Sequence, residues 1–227
     1  MKTAYKAVVA AIVSLLFLSA PCQAAAEDEL EVTFEGLVPV EGARAAMAYV
    51  DPNADFSVFQ QVAILDPFVA FRANWQRDQR RRRSRNVRAS DMERIKADTA
   101  AIFRDVFIER LEAAGFAITT EAGDDVLVLR PAIIDLDVTA ADVSRPGRSR
   151  TYTANSGAAT LYIQLVDSMT GDLLGRAADR RVARDAGGFM TWNNRVTNMA
   201  GARRTFGRWA DQLIEFLKTH YQVEGEK

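Results

Sequence analysis

The stretch from Ser90 to Gly115 limits the fold more than any other part of this chain. Met92, Ile95, Thr99, Ile102, Phe103, Val106, Phe107 and Leu111 recur three or four residues apart, the spacing that lines one face of an α-helix. Ser90 as N-cap with Glu93 three residues later fits a capping box, and Asp91 complements the helix dipole. Gly115 suits the left-handed residue just past a helix end. On both sides the pattern changes to β-formers. Val62, Ile64, Leu65, Phe68, Val69 and Phe71 predict a strand over 58–71, with Pro67 as a bulge or an edge position. Phe116 to Thr119 predicts a short strand. A β–α–β order of this kind needs a sheet for the helix to cover.

The remaining segments extend that sheet. Val126 to Val138 predicts a long strand: Val126-Leu127-Val128-Leu129 is apolar throughout, as if covered on both faces. Its second half alternates Ile134, Leu136 and Val138 with Asp135 and Asp137. Ala158 to Ser168, the Thr170-Gly171-Asp172 turn and Leu173 to Arg184 form a hairpin. The return strand carries Arg176, Arg180, Arg181 and Arg184, so one face of it should meet water. Met199, Ala202, Phe206, Trp209, Leu213, Phe216 and His220 then mark a last helix, with Trp209 toward the core. The fold expected is α+β: a mixed, mostly antiparallel sheet of about five strands with two main helices packed on one face.

The N-terminus has the plan of an export signal over residues 1–26. Lys2 and Lys6 precede an uncharged apolar run from Ala7 to Ala20, and small residues follow to Ala24-Ala25-Ala26. The run is shorter than the roughly 20 residues that span a bilayer. Cys22 offers a lipidation site, but in Leu18-Ser19-Ala20-Pro21-Cys22 the leucine stands one place too far away and Pro21 occupies the scissile bond. Cleavage after Ala24 or Ala26 fits better. The expected location is therefore the periplasm, or the outer membrane if Cys22 is lipidated. Domain organisation follows: a flexible acidic and Ala-rich lead at 27–49, a single α+β domain at 50–221 and a polar tail at 222–227. Within the domain, residues 72–88 stand out as an Arg-rich insertion.

That insertion holds Arg72, Arg77, Arg80, Arg81, Arg82, Arg83, Arg85 and Arg88 against Asp78 alone. The formal net charge of −1 hides it: outside residues 72–88, the chain after residue 26 carries 19 basic and 29 acidic residues. Guanidinium groups bind phosphate in bidentate fashion, so Arg77, Arg80, Arg81, Arg82, Arg83, Arg85 and Arg88 are the candidate anion-binding residues. In an exported protein the partners of that chemistry are an anionic lipid or lipopolysaccharide surface, or an acidic envelope protein; intracellular nucleic acid is excluded. The plainer alternatives are a solvated loop, since Arg outnumbers Lys 24 to 5, or docking onto the chain's own Asp135 and Asp137.

Signals for catalysis are weak. One histidine and one cysteine leave no His-based triad and no Cys-rich metal site. Asp124-Asp125 and Asp135 with Asp137 are the best carboxylate clusters, yet no third ligand lies near them in sequence. Trp192, Asn193 and Asn194 sit in a loop after Gly187-Gly188, where Trp192 serves as a loop anchor or as a stacking platform. No catalytic, metal or cofactor residue is assigned.

Three segments resemble one exported bacterial family, the domain of unknown function numbered 3313. They are Val50-Asp51-Pro52-Asn53-Ala54-Asp55-Phe56, Ser156-Gly157-Ala158-Ala159 with Leu165-Val166-Asp167-Ser168, and the Thr170-Gly171-Asp172 turn with its Arg-rich return. The resemblance covers about residues 45–220 and implies an exported, often lipidated, one-domain protein without an assigned activity. The function expected is a non-enzymatic binding or assembly module of the cell envelope. The alternatives are a periplasmic enzyme using Asp135 and Asp137, or a structural subunit built on the Met199–His220 stripe.

Overall fold

The computed structural model describes residues 33–83, 87–138, 152–153, 155–184, 191–192 and 195–220. The export signal with Cys22, Arg85, Asn193, Asn194 and the 222–227 tail lie outside the described residues.

The chain forms β1 (Val38–Pro39), β2 (Met47–Val50), β3 (Gln61–Ile64), β4 (Phe68–Phe71), α1 (Trp75–Arg83), α2 (Ala89–Ala113), β5 (Ala117–Thr119), β6 (Val126–Val138), β7 (Tyr152–Thr153), β8 (Asn155–Asp167), β9 (Leu173–Arg184), β10 (Thr191–Trp192) and α3 (Arg195–His220). Eight strands make one sheet in the order β1-β2-β9-β8-β6-β3-β5, with β4 also on β6. Pairs from β6 through β8, β9 and β2 to β1 are antiparallel. The pairs of β3 and β4 with β6, and of β3 with β5, are parallel. The fold is α+β and the sheet mixed, mostly antiparallel, with more strands than the expected five.

Three differences account for the extra elements. The expected strand over 58–71 is two strands in series, β3 and β4, on the same edge of β6. Pro67 lies in the break between them, where its missing N–H costs no ladder bond. The expected flexible lead supplies β1 and the start of β2, with Leu37 1% exposed. A third helix, α1, occupies the Arg-rich segment.

The N-cap of helix α2 lies two residues earlier than its serine suggests. The N-cap is Arg88, whose side chain makes no cap bond, and Asp91 rather than Glu93 supplies the reciprocal half of the box: its Oδ2 accepts the Arg88 N–H at 3.1 Å. Buried Val87 packs near Met92 across that entry, the arrangement of a hydrophobic staple. At the far end Gly115 takes φ 101°, and the Phe116 and Gly115 N–H groups donate to the Leu111 and Glu112 carbonyls at 3.0 Å each. This is a complete Schellman stop, as the glycine predicts.

The main core joins α2 and α3 to one face of the sheet. Ile102, Phe103, Val106, Phe107 and Leu111 from α2 meet Phe206, Trp209, Ala210 and Leu217 from α3 over Leu127, Leu129 and Ile133 of β6 and Ala159, Leu161, Ile163 and Leu165 of β8. Positions 159, 161, 163 and 165 of β8, with Ala177 and Asp179 opposite them in β9, therefore face the helices, and Arg176 and Arg180 face the other way; past the register shift at Leu165/Val166, Leu174 rejoins the core.

Candidate functional site

Two regions carry chemistry, one beside β4 and one over β8 and β9. The first is the arginine segment. Asn74 turns the chain out of β4 at φ 61°, a left-handed conformation that asparagine tolerates. In α1, Trp75 and Gln79 stand four residues apart and point inward, 1% and 7% exposed. Trp75 stacks on Phe71 with ring centroids 4.2 Å apart. Its Nε1 and the Gln79 Nε2 both donate to the Val138 carbonyl at 3.2 Å, and Gln76 Nε2 donates to the Val87 carbonyl at 2.8 Å. Arg77, Arg80 and Arg81, spaced three and four apart, form the exposed opposite face. Arg82 and Arg83 belong to α1 by backbone, while their side chains lie outside the described residues. Arg88 is exposed at the N-cap of α2.

Arg72 does not join that outward face. Its Nε donates to Asp137 Oδ2 and its Nη1 to Asp78 Oδ2, each at 2.8 Å. The hydrogen bonds to Asp78 and then Asp137 hold its pKa above the ordinary guanidinium value, against the opposing effect of burial. Internal docking thus applies to one arginine and one aspartate of the segment's neighbours. The period-two pairing of Asp135 with Asp137 does not hold. Asp135 takes φ 51°, and between Ile134 and Asp137 the register with β8 shifts. This bulge turns Asp137 toward Arg72 and leaves Asp135 exposed. Gly157 sits across from it, where an added Cβ would come within 2.5 Å of the Asp137 carbonyl oxygen. The motif around Ser156-Gly157 is therefore a site of close backbone approach.

Of the Asp124-Asp125 pair, Asp124 is exposed and Asp125 is engaged. Asp125 accepts from Gln61 Nε2 at 3.1 and 3.2 Å. Asp51 accepts the Asn53 N–H at 2.8 Å, and Asp167 accepts the Met169 and Thr170 N–H groups at 2.7 and 2.9 Å. Asp55 caps a short 3-10 turn at Phe56–Val58, and hydrogen bonds from the Ser57 hydroxyl and N–H hold its pKa below the ordinary aspartate value. Parts of all three segments quoted for the resemblance thus meet at one acidic edge, where Asp51, Asp55, Asp167 and Asp172 line a shallow cleft. Among the described residues no group of three or more His, Cys, Asp or Glu is arranged to hold a metal ion.

The second region went unnoticed in the sequence. A cavity of about 250 Å³ lies between β8, β9 and α3, under the 40–45 segment. It exists because the sheet is lined there by small residues. Gly175 and Ala177 of β9 stand opposite Leu165 and Ile163, and Ala48 of β2 stands opposite Ala177. A Cβ at position 175 would press on the Tyr49 carbonyl at 3.1 Å, so the glycine also lets β2 approach. Phe107, Leu213 and Phe216 form the helical wall. Asp179 in the wall accepts from Trp209 Nε1 at 2.9 Å and from Arg181 Nε at 2.6 Å. At the mouth, Arg44 of the 40–45 segment pairs with Glu215 of α3 at 3.0 Å. The alanines at 43, 45, 48 and 177 were the signal available in the sequence.

Of the remaining residues, Trp192 pairs through its backbone with Tyr152 in a two-stranded ribbon of β7 and β10, and Trp209 is 2% exposed in the core. His220 ends α3. No described helix is long and apolar enough to cross a membrane.

Known structures with similar backbones include a Xanthomonas campestris protein of family DUF330, 11% identical over 73% of this chain and 87% of that one, with a TM-score of 0.43. A minor lipoprotein from Acinetobacter baumannii is 9% identical over 71% and 94%, with a TM-score of 0.34. A DUF4136 protein from Bacteroides thetaiotaomicron is 14% identical over 73% and 95%, with a TM-score of 0.31. No curated protein matches the chain. Residues 26–213 match the model of the family described as protein of unknown function DUF3313, and the chain belongs to that family.

Proposed function

We propose that this protein is an exported, non-enzymatic binding module of the bacterial cell envelope, and that the outer face of α1 meets an anionic, phosphate-bearing surface of phospholipid or lipopolysaccharide. The observation that carries the reading is the placement of Arg77, Arg80 and Arg81. They are exposed together on a helix whose other side is pinned by Trp75 and Gln79. A pinned helix holds its guanidinium groups at fixed spacing, so less side-chain and backbone order has to be imposed on binding. Guanidinium groups also match phosphate geometry better than ammonium groups do. The export pattern at 1–26 supports an envelope location, and the engagement of Asp137 by Arg72 speaks against an acid/base pair there.

Flotation with vesicles tests it. The protein should bind phosphatidylcholine vesicles containing phosphatidylglycerol and not those of phosphatidylcholine alone, and binding should fall steeply as salt rises. Replacing Arg77, Arg80 and Arg81 by Gln should remove about 1 kcal/mol per residue, roughly a hundredfold in affinity for all three. Salt-independent binding, or binding unchanged by the triple replacement, would contradict the reading. Salt-sensitive capture by an acidic envelope protein without vesicle binding would also count against it, in favour of a protein partner.

A further inference from the structure

The cavity beneath the 40–45 segment has no part in that reading, and its lining defines what it can hold. Leu161, Ile163 and Leu165 floor it, and Leu213 and Phe216 wall it. The carboxylate in its wall, Asp179, is engaged by Trp209 and Arg181. Polar groups that lose water without gaining a partner are costly to bury, so the part of a ligand inside this cavity must be apolar. The volume of about 250 Å³ equals that of about eight waters, so a small apolar group or part of a longer chain fits inside. Of the other charged residues in the lining, Glu41, Arg44 and Glu215 are exposed and Arg176 pairs with Glu35.

The cover belongs to the turn between β1 and β2, where the Val40 N–H donates to the Ala48 carbonyl at 2.9 Å. Segment 40–45 has Gly42 at φ 68° and is tied to α3 by the exposed Arg44–Glu215 pair. Exposed ion pairs are weak, so the tie can open without disturbing the core behind it. We infer that this cavity binds a single aliphatic chain, the shared chemistry of a free fatty acid and of one acyl chain of a phospholipid, with 40–45 closing over it and the head group left at the charged rim.

The experiment uses cis-parinaric acid, whose fluorescence rises in an apolar site. Titrated into the purified protein, it should give a saturable rise, displaced by unlabelled fatty acid or by lysophospholipid. Displacement by the free acid alone assigns that source; displacement by both assigns any lipid with one accessible chain. Ala177→Phe fills the cavity and should weaken probe binding at least tenfold. Ala45→Phe does the same from the cover, without altering the sheet, and guards against misfolding of the first variant. Arg180→Gln, on the opposite face of the sheet, should leave the probe unaffected. Replacing Arg44 and Glu215 together by Ala should raise the association and dissociation rates of the probe together, with little change in affinity. The inference is overturned if no saturable rise occurs, or if both filled variants fold and bind like the parent. It is also overturned if light scattering shows a dimer that the filled variants dissociate, since a second copy would then occupy the cavity. Loss of vesicle flotation has no bearing on these outcomes, so the two readings fail separately.

Discussion

The two ends of the sheet solve opposite problems with the same few residue types. At the β4 end, where α1 docks, two large aromatic rings, Phe71 and Trp75, stack at 4.2 Å, and Trp75 packs with buried Val87. At the β2 end, glycine and alanine replace them at 175, 177 and 48, and α3 spans a hollow. Apart from Arg72, which is paired with Asp78 and Asp137, the basic residues named here follow the same division. Arg77, Arg80 and Arg81 stand outward from the filled end, whereas at the hollow end Arg44 and Arg181 are paired with Glu215 and Asp179. A filled end offers a rigid surface and a hollow end offers an interior. The amount of side-chain volume placed behind each helix decides which.

The comparison breaks most visibly at Trp75. Trp75→Ala removes the stack on Phe71 and the bond to the Val138 carbonyl, and should cost about 3–5 kcal/mol in denaturant unfolding. The matched change at the hollow end, Leu213→Ala, removes a partly exposed wall residue and should cost only about 1–2 kcal/mol. Equal costs would mean that the two ends are packed alike. Gly157→Ala, which drives a Cβ against the Asp137 carbonyl, should cost about 1–3 kcal/mol and loosen the bulge that aims Asp137.

Smaller effects sharpen the contrast between charges that hold structure and charges that do not. Arg72 is one-quarter exposed and joins Asp78 to Asp137. Arg72→Gln should cost about 1–2 kcal/mol after allowance for solvent screening, and a double-mutant cycle with Asp137→Asn should show the coupling. Arg80→Gln should change stability by no more than about 0.5 kcal/mol, because it leaves an exposed face. The smallest effect is at Asp55. Its carboxyl should titrate below the ordinary value of 3.8 when followed by NMR, and Ser57→Ala should return it toward 3.8. A depressed folded pKa means that its stabilising contribution is present above the unfolded value and is lost as pH falls through the folded one.

Much of the sheet was legible in the sequence, and the reasons differ by element. β6 and β9 span the residues expected, because long runs of β-formers end at clear turns. The end of α2 was marked by Gly115. Its start was displaced because Val87 and Met92 together outweigh a serine with the right spacing. β1 and β2 were hidden by an alanine-rich composition that resembles a lead, since alternation of small residues gives little signal. Helix α1 was hidden by its charge: a run of arginines looks solvated until Trp75 and Gln79 are seen as an inward pair. The bulge at Asp135 could not be foreseen from period-two alternation, because it depends on a left-handed aspartate that the neighbouring strands impose. The cavity is a property of three segments far apart in sequence, joined only by the sheet.

The central claim is that the surface of α1 and the interior beneath α3 act independently. It is tested most directly by measuring vesicle flotation and cis-parinaric acid fluorescence on the same two variants, the Arg77, Arg80 and Arg81 triple glutamine and Ala45→Phe. The account predicts that the first loses flotation and keeps the probe, and that the second keeps flotation and loses the probe. A single folded variant that loses both would contradict it.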